Sequence, residues 1–220
     1  RAGSFSVLRF RPGATPLGLL HTDSAKVLGH FNASAGLYVH YDHKPLTFVD
    51  ARTGDTAYDE VSYQFNTQLV AAIGLYDRFE VGLAVPVALL QGTGDVPSAF
   101  PDVPAIGGGV GDIRLILKAQ LYNTEKFTLG VVLPILLPTG NADNYLGDGG
   151  TGVEPRLAAS YNFGRLKLAA NLAYRLRPDN SFSPALTSQS IAVNDEFAGY
   201  FGGRFAVVPT KLDVIVDWYG

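Results

Sequence analysis

The feature that most constrains this chain is a strict two-residue alternation of apolar and polar side chains over long stretches. From Phe79 to Leu89, the residues Phe79, Val81, Leu83, Val85, Val87 and Leu89 share one face, and Glu80, Gly82, Ala84, Pro86 and Ala88 share the other. Ile113, Leu115, Leu117, Ala119 and Leu121 alternate with Asp112, Arg114, Ile116, Lys118 and Gln120. Leu166, Leu168, Ala170, Leu172, Tyr174 and Leu176 alternate with Lys167, Ala169, Asn171, Ala173, Arg175 and Arg177. Val153 to Phe163 repeats the pattern with Glu154, Arg156, Ser160 and Asn162 on its polar side. Side chains turn over at every residue of a strand, so alternation predicts strands with two unlike faces, and helical spacing fits none of these segments.

The pattern predicts strands near 31–41, 60–75, 79–91, 110–122, 127–138, 152–163, 166–177, 195–208 and 212–220. Short turns fall at Tyr76-Asp77-Arg78, Asn123 to Lys126, Gly164-Arg165 and Pro209-Thr210-Lys211, and long loops at 42–59, 92–109, 139–151 and 178–194. All but the last of these strands run about 11–16 residues, where globular strands peak near 5–6. A tilted strand needs about 9–11 residues to cross a bilayer core. Alternation of short turns with long loops is the connectivity of outer-membrane barrels.

Composition agrees. The chain is 47% hydrophobic and 17% charged, against a usual charged share of about 25%. Its longest near-apolar stretch, Phe127 to Pro138, is about 12 residues, too short for a spanning helix, which needs about 20. A greasy chain without such a helix points to a closed β-barrel, the other structure that pairs every backbone polar group in lipid. The fold expected is therefore an all-β, antiparallel, up-and-down transmembrane barrel of 8–10 strands in the outer membrane of a Gram-negative bacterium. Tyr76, Phe79, Tyr122, Phe127, Tyr161 and Phe163 flank the short turns, where an interfacial aromatic girdle belongs.

With the apolar face outward, the lumen would carry Arg114, Lys118, Arg156, Lys167, Arg175, Arg177 and Arg204 against Glu80, Asp112, Glu154, Glu196, Asp213 and Asp217. Seven cations facing six anions in so narrow a space should pair and close it, because a barrel of about 8 strands is filled by its own side chains. A plugged lumen is expected, with a narrow solute channel as the alternative. Residues 1–28 are expected as a periplasmic segment or a lead-in to the barrel, and 29–220 as the barrel itself. The last predicted strand lacks a following partner. This suggests a tenth strand beyond Gly220, favoured, or closure by Ser4 to Phe10. The absence of any Met, the initiator included, likewise suggests a processed or excised chain.

Other chemistry finds little support. Net charge is −3, which offers no footprint for nucleic acid. There is no Cys, which excludes disulfides and thiol catalysis. Gly107 to Gly111 lacks the Lys-Ser/Thr and helix of a phosphate loop and is expected to be a flexible loop. His40, Asp42 and His43 cluster at a strand end without a fourth ligand. Asp143 and Asp148 lack calcium-loop spacing and are expected in a solvated turn. Ser160 projects inward, but the four histidines all come from the N-terminal fifth, and no Ser–His pair is evident. Neither cofactor nor metal is expected, nor enzymatic activity.

Five stretches carry a family likeness: Phe5 to Gly13; Leu28 to Leu46 with Gly29-His30 and Lys44-Pro45-Leu46; Leu75 to Gly92; Gly111 to Arg114 followed by Leu137 to Gly140; and Glu154-Pro155-Arg156 followed by Tyr174 to Pro178. Across nearly its whole length the chain resembles the N-terminal barrels of OmpA-family proteins of myxobacteria and related delta-proteobacteria, TraB-like barrels of kin recognition among them. The resemblance implies an outer-membrane anchor that meets outer-membrane lipid and, through its long external loops, a protein partner. Peptidoglycan would be held only by a C-terminal domain that these residues do not include.

Overall fold

The computed structural model describes residues 6–49, 53, 56–92, 107–141, 144–177, 180–182, 191–193, 195–209 and 211–220. The fold is all-β. The strands are β1 (Ala33–Val49), β2 (Thr56–Leu75), β3 (Phe79–Gly92), β4 (Gly109–Val110), β5 (Ile113–Asn123), β6 (Phe127–Leu137), β7 (Gly152–Val153), β8 (Arg156–Asn162), β9 (Leu166–Arg175), β10 (Asn180–Phe182), β11 (Ile191–Val193), β12 (Glu196–Val208) and β13 (Leu212–Tyr219). One antiparallel sheet runs β1-β2-β3-β5-β6-β8-β9-β12-β13, with β4 on β3 and β7 on β6; β10 and β11 form a separate ladder. Neighbours in sequence are neighbours in space, as in an up-and-down barrel, and the sheet is strongly curled. Among the described residues β1 and β13 are its two edges.

The predicted faces match the burial. Along β3, Phe79, Leu83 and Leu89 are exposed while Glu80, Gly82, Ala84, Pro86 and Ala88 are buried. The polarity is inverted relative to a water-soluble protein: Trp218 is 64% and Leu172 57% exposed, while Glu154 is 1% and Lys118 3% exposed. No described helix is long and apolar enough to cross a membrane.

Three departures have local causes. Most of the predicted loop 42–59 is strand, because β1 and β2 continue past Tyr41 through register shifts around His43 and Leu46. Lys44 there has φ 49°, and such a bulge breaks the alternation that marks a strand. A second shift at Phe65/Asn66 turns both Leu89 and Leu90 outward and Gln91 inward. Third, the glycine run at 107–111 is not simply a loop, since Gly109 and Val110 pair with Ala88 and Val87 of β3. The rest of the loop 92–109, and Asp143, lie largely outside the described residues.

The turn between β2 and β3 is held from outside the sheet. Tyr76 and Asp77 both adopt φ 54°, a left-handed conformation unfavourable for bulky side chains. The Tyr76 amide donates to His30 Nδ1 at 3.0 Å, and the His30 amide donates to the Asp77 carboxylate at 2.7 Å. His30 thus fastens the end of the N-terminal segment to this turn.

Candidate functional site

Residues 6–28 form no strand and lie against the concave face of the sheet. Their sequence explains the first point: Pro12, Gly13, Pro16 and Gly18 interrupt any ladder by missing amides and weak β preference. A buried backbone without a ladder must bond to side chains. The lumen-facing polar residues supply them.

Asp217 on β13 accepts the amides of Leu20, His21 and Thr22 at 2.9, 2.6 and 3.0 Å, and the Thr22 hydroxyl as well. Asn171 on β9 accepts the Asp23 amide at 2.7 Å and donates to the Asp23 carbonyl at 2.9 Å. Arg114 on β5 donates to the Pro12 carbonyl and to Gln68, both at 3.0 Å, and Gln68 donates to the Phe10 carbonyl. Arg156 on β8 holds the Asp23 carboxylate at 2.9 Å. Glu80 accepts the Leu28 amide at 3.0 Å, and Arg204 donates to the Pro16 carbonyl at 2.8 Å. At the long-loop end, the Ser6 amide donates to Asp148 at 2.8 Å.

Small residues make room for this segment. Ala14 and Ala25 are buried in a cluster with Val70, Ala72, Ala84, Ile116, Val132 and Ala158 of the wall. A Cβ added to Gly82 would stand 2.5 Å from the Ala14 Cβ, closer than packed atoms allow. Aromatic rings carry the segment across to both edges of the sheet. Phe10 meets Tyr38 and His40 of β1 at ring distances of 5.8 and 4.7 Å. Phe10 meets His21 at 5.0 Å, and His21 meets Tyr219 of β13 at 4.4 Å.

The predicted lumen charges divide into three groups. Some pair with one another. Glu80 and Lys118 stand opposite in register and form an ion pair at 3.0 Å. Glu154 joins Arg156 at 2.7 Å and Arg175 at 2.5 Å, and accepts the Tyr200 hydroxyl at 2.9 Å. Glu196 joins Arg175 at 3.1 Å and Arg177 at 2.6 Å. Others serve backbone: Asp217 and Arg114 as above, and Asp112, which accepts the amides of Gly140 at 2.9 Å and Asp148 at 2.7 Å. The third group lies toward the short-turn end, where Lys167 is exposed and Arg204 pairs with a partly exposed Asp213 at 2.7 Å.

Sequence reasoning missed the segment itself and Asp148. Asp148 is 3% exposed, buried rather than in a solvated turn, because the loop folds back on Asp112 and the N-terminal segment. The available signal was the run of small residues on inward positions, which leaves space that wall side chains do not fill. Ser160 faces Ser24 across 3.3 Å. His40 Nε2 lies 3.2 Å from Asp42, and no group of three metal-ligand side chains forms among the described residues. Of the six predicted girdle residues, Tyr76, Phe79, Tyr122, Tyr161 and Phe163 are exposed beside the short turns, and Phe127 is half-buried there. Tyr161 and Phe163 pack at 4.4 Å and Tyr122 and Phe127 at 6.3 Å.

No curated protein matches the chain. A family described as "Putative MetA-pathway of phenol degradation", which comprises outer-membrane β-barrel proteins, matches residues 53–220. That span takes in every strand of the curled sheet except β1, and the chain belongs to this family of barrel proteins.

Proposed function

We propose that the chain is a non-enzymatic outer-membrane barrel that anchors and displays, with a lumen closed by its own N-terminal segment and by paired charges. The observation that carries this reading is the double inversion of the wall. Apolar side chains face outward, where only lipid suits them, and the charged inward face is saturated by residues 6–28 and by ion pairs. Outer-membrane lipid covers the exposed face, with Tyr76, Phe79, Tyr122, Phe127, Tyr161 and Phe163 as its girdle. The long loops present a surface to a protein partner. Attachment to peptidoglycan, which the OmpA-type resemblance implies, would fall to a separate C-terminal domain.

A second reading is a narrow solute channel. The family's description, which names a degradation pathway for phenol, favours it, since such a pathway needs its solute delivered across the envelope. Recordings of the full chain in planar bilayers separate the two. The closed barrel yields no stable conductance steps; large, long-lived steps would overturn it.

A further inference from the structure

Each of the four short turns carries one basic residue at the same place, the position just before the next strand begins. Arg78 precedes Phe79 of β3, Lys126 precedes Phe127 of β6, Arg165 precedes Leu166 of β9, and Lys211 precedes Leu212 of β13. All four side chains are exposed, and none has an ion pair or a side-chain hydrogen bond among the described residues. Their backbones are nevertheless fixed. The Arg78, Lys126 and Arg165 carbonyls accept the amides of Gln120, Asn162 and Ala206 at 2.8, 2.7 and 2.9 Å, and the Lys211 amide donates to the Val208 carbonyl at 3.0 Å.

The opposite rim has the opposite sign. The stretches 42–59, 92–109, 139–151 and 178–194 hold nine aspartates against two basic residues. The short turns hold those four cations against two carboxylates, Asp77 and Glu125, and Asp77 already accepts the His30 amide. Basic side chains thus mark one rim rather than the connections of this chain in general. Lys126 also borders a recess of about 100 Å³ in which Lys26 and Lys167, exposed and without ion-pair partners, add two ammoniums to the same rim.

Neighbouring residues set the level of the four cations. Phe79, Phe127, Leu166 and Leu212 each open the outward, apolar face of their strand, and Tyr76, Tyr122, Tyr161 and Phe163 stand beside the same turns. Aromatic bands of this kind sit where acyl chains give way to headgroups. A cation one residue beyond that band meets headgroup phosphate, not hydrocarbon. The four are spread over the hairpins β2–β3, β5–β6, β8–β9 and β12–β13, so no small soluble ligand reaches them all, whereas a lipid leaflet surrounding the wall does. A zwitterionic headgroup offsets its phosphate with its own cation; an anionic one leaves that charge for the protein.

We propose that the short-turn rim is a binding ring for anionic phospholipids, with a headgroup phosphate on each of Arg78, Lys126, Arg165 and Lys211. The inference rests on the outer-membrane barrel reading above and adds to it the class of lipid.

Electron spin resonance of the full chain refolded in phosphatidylcholine bilayers tests it, with trace spin-labelled phosphatidylglycerol or phosphatidylcholine as the probe. Lipid against the wall gives a motionally restricted component. Phosphatidylglycerol is expected to enter it with about three times the association constant of phosphatidylcholine, and about 1 M salt should bring the two together. Replacing the four cations at once, Arg78→Gln, Lys126→Gln, Arg165→Gln and Lys211→Gln, should remove most of the preference while leaving restricted phosphatidylcholine unchanged. Lys44→Gln, at the opposite rim, should leave the preference intact. Equal association of the two lipids with the parent chain, a preference that survives high salt, or one undiminished in the fourfold variant would overturn the proposal. Equal association together with co-sedimentation on purified peptidoglycan that the fourfold variant loses would give the rim to the cell wall instead. A chain that restricts neither lipid would overturn the barrel reading itself, so the two failures are distinct.

Discussion

Deletion of residues 1–28 is expected to yield a barrel that conducts ions in planar bilayers, against no stable conductance expected of the full chain. The described part of the segment, residues 6–28, occupies the space that the small inward residues leave open, among them Gly82, Ala84 and Ala158. Removing it exposes Glu80, Arg114, Arg156 and Asp217 to water, a lining that favours hydration over collapse. A gentler variant reaches the same end by another route. Asp217→Ala removes the acceptor of three consecutive amides and of the Thr22 hydroxyl. Hydrogen bonds to a charged group contribute about 1.5–3 kcal/mol each, so the clamp accounts for much of the segment's hold on β13. Intermittent openings are expected from Asp217→Ala and sustained ones from the deletion. Silence in both, with folded barrels verified by their heat-dependent gel mobility, would mean that the wall side chains alone close the lumen.

The largest effect on stability is expected at Glu154. Its carboxylate is 1% exposed and neutralises two guanidiniums, Arg156 and Arg175, of which Arg156 is itself buried. Glu154→Ala leaves Arg156 with Asp23 alone and Arg175 with Glu196 alone, and it removes the acceptor of the Tyr200 hydroxyl. Breaking a buried pair in this way costs about 3–5 kcal/mol. Arg204→Ala at the short-turn end is the control. Its bonds to Asp213 and to the Pro16 carbonyl are both exposed, and exposed ion pairs contribute about 0–1 kcal/mol. Denaturant unfolding in micelles should show a large fall in midpoint for the first and little for the second. Equal losses would contradict the placement of Glu154 at the centre of the network.

The wall of the barrel was legible in the sequence because strand periodicity is local. Glu80 and Lys118 could be assigned to one face from their own neighbours, and the antiparallel register then sets them opposite each other. The inward segment was not legible, for an equally physical reason. Residues 6–28 have no period, and their partners lie far along the chain: Thr22 bonds Asp217 across 195 positions and Asp23 bonds Asn171 across 148. Charge balance suggested pairing among the lumen side chains, yet a tally of side chains contains no term for backbone amides, which take up Asp112 and Asp217. The bulges near His43 and Asn66 escaped because one extra residue shifts the alternation without changing composition.

The barrel holds residues 6–28 against its inward face, and a single cross-link tests that placement. The chain has no Cys, so engineered thiols report without background. The Ser24 and Ser160 hydroxyl oxygens stand 3.3 Å apart across the segment and β8, so cysteines at these two positions need only a small rotation to reach the S–S distance of about 2.0 Å. The double variant Ser24→Cys, Ser160→Cys, expressed in outer membranes and mildly oxidised, should lose both thiols to an intramolecular disulfide. Intact mass would fall by two hydrogens, and a membrane-impermeant maleimide would label neither position. Two free thiols after oxidation, with the one introduced in place of Ser24 open to the maleimide, would place the segment outside the barrel.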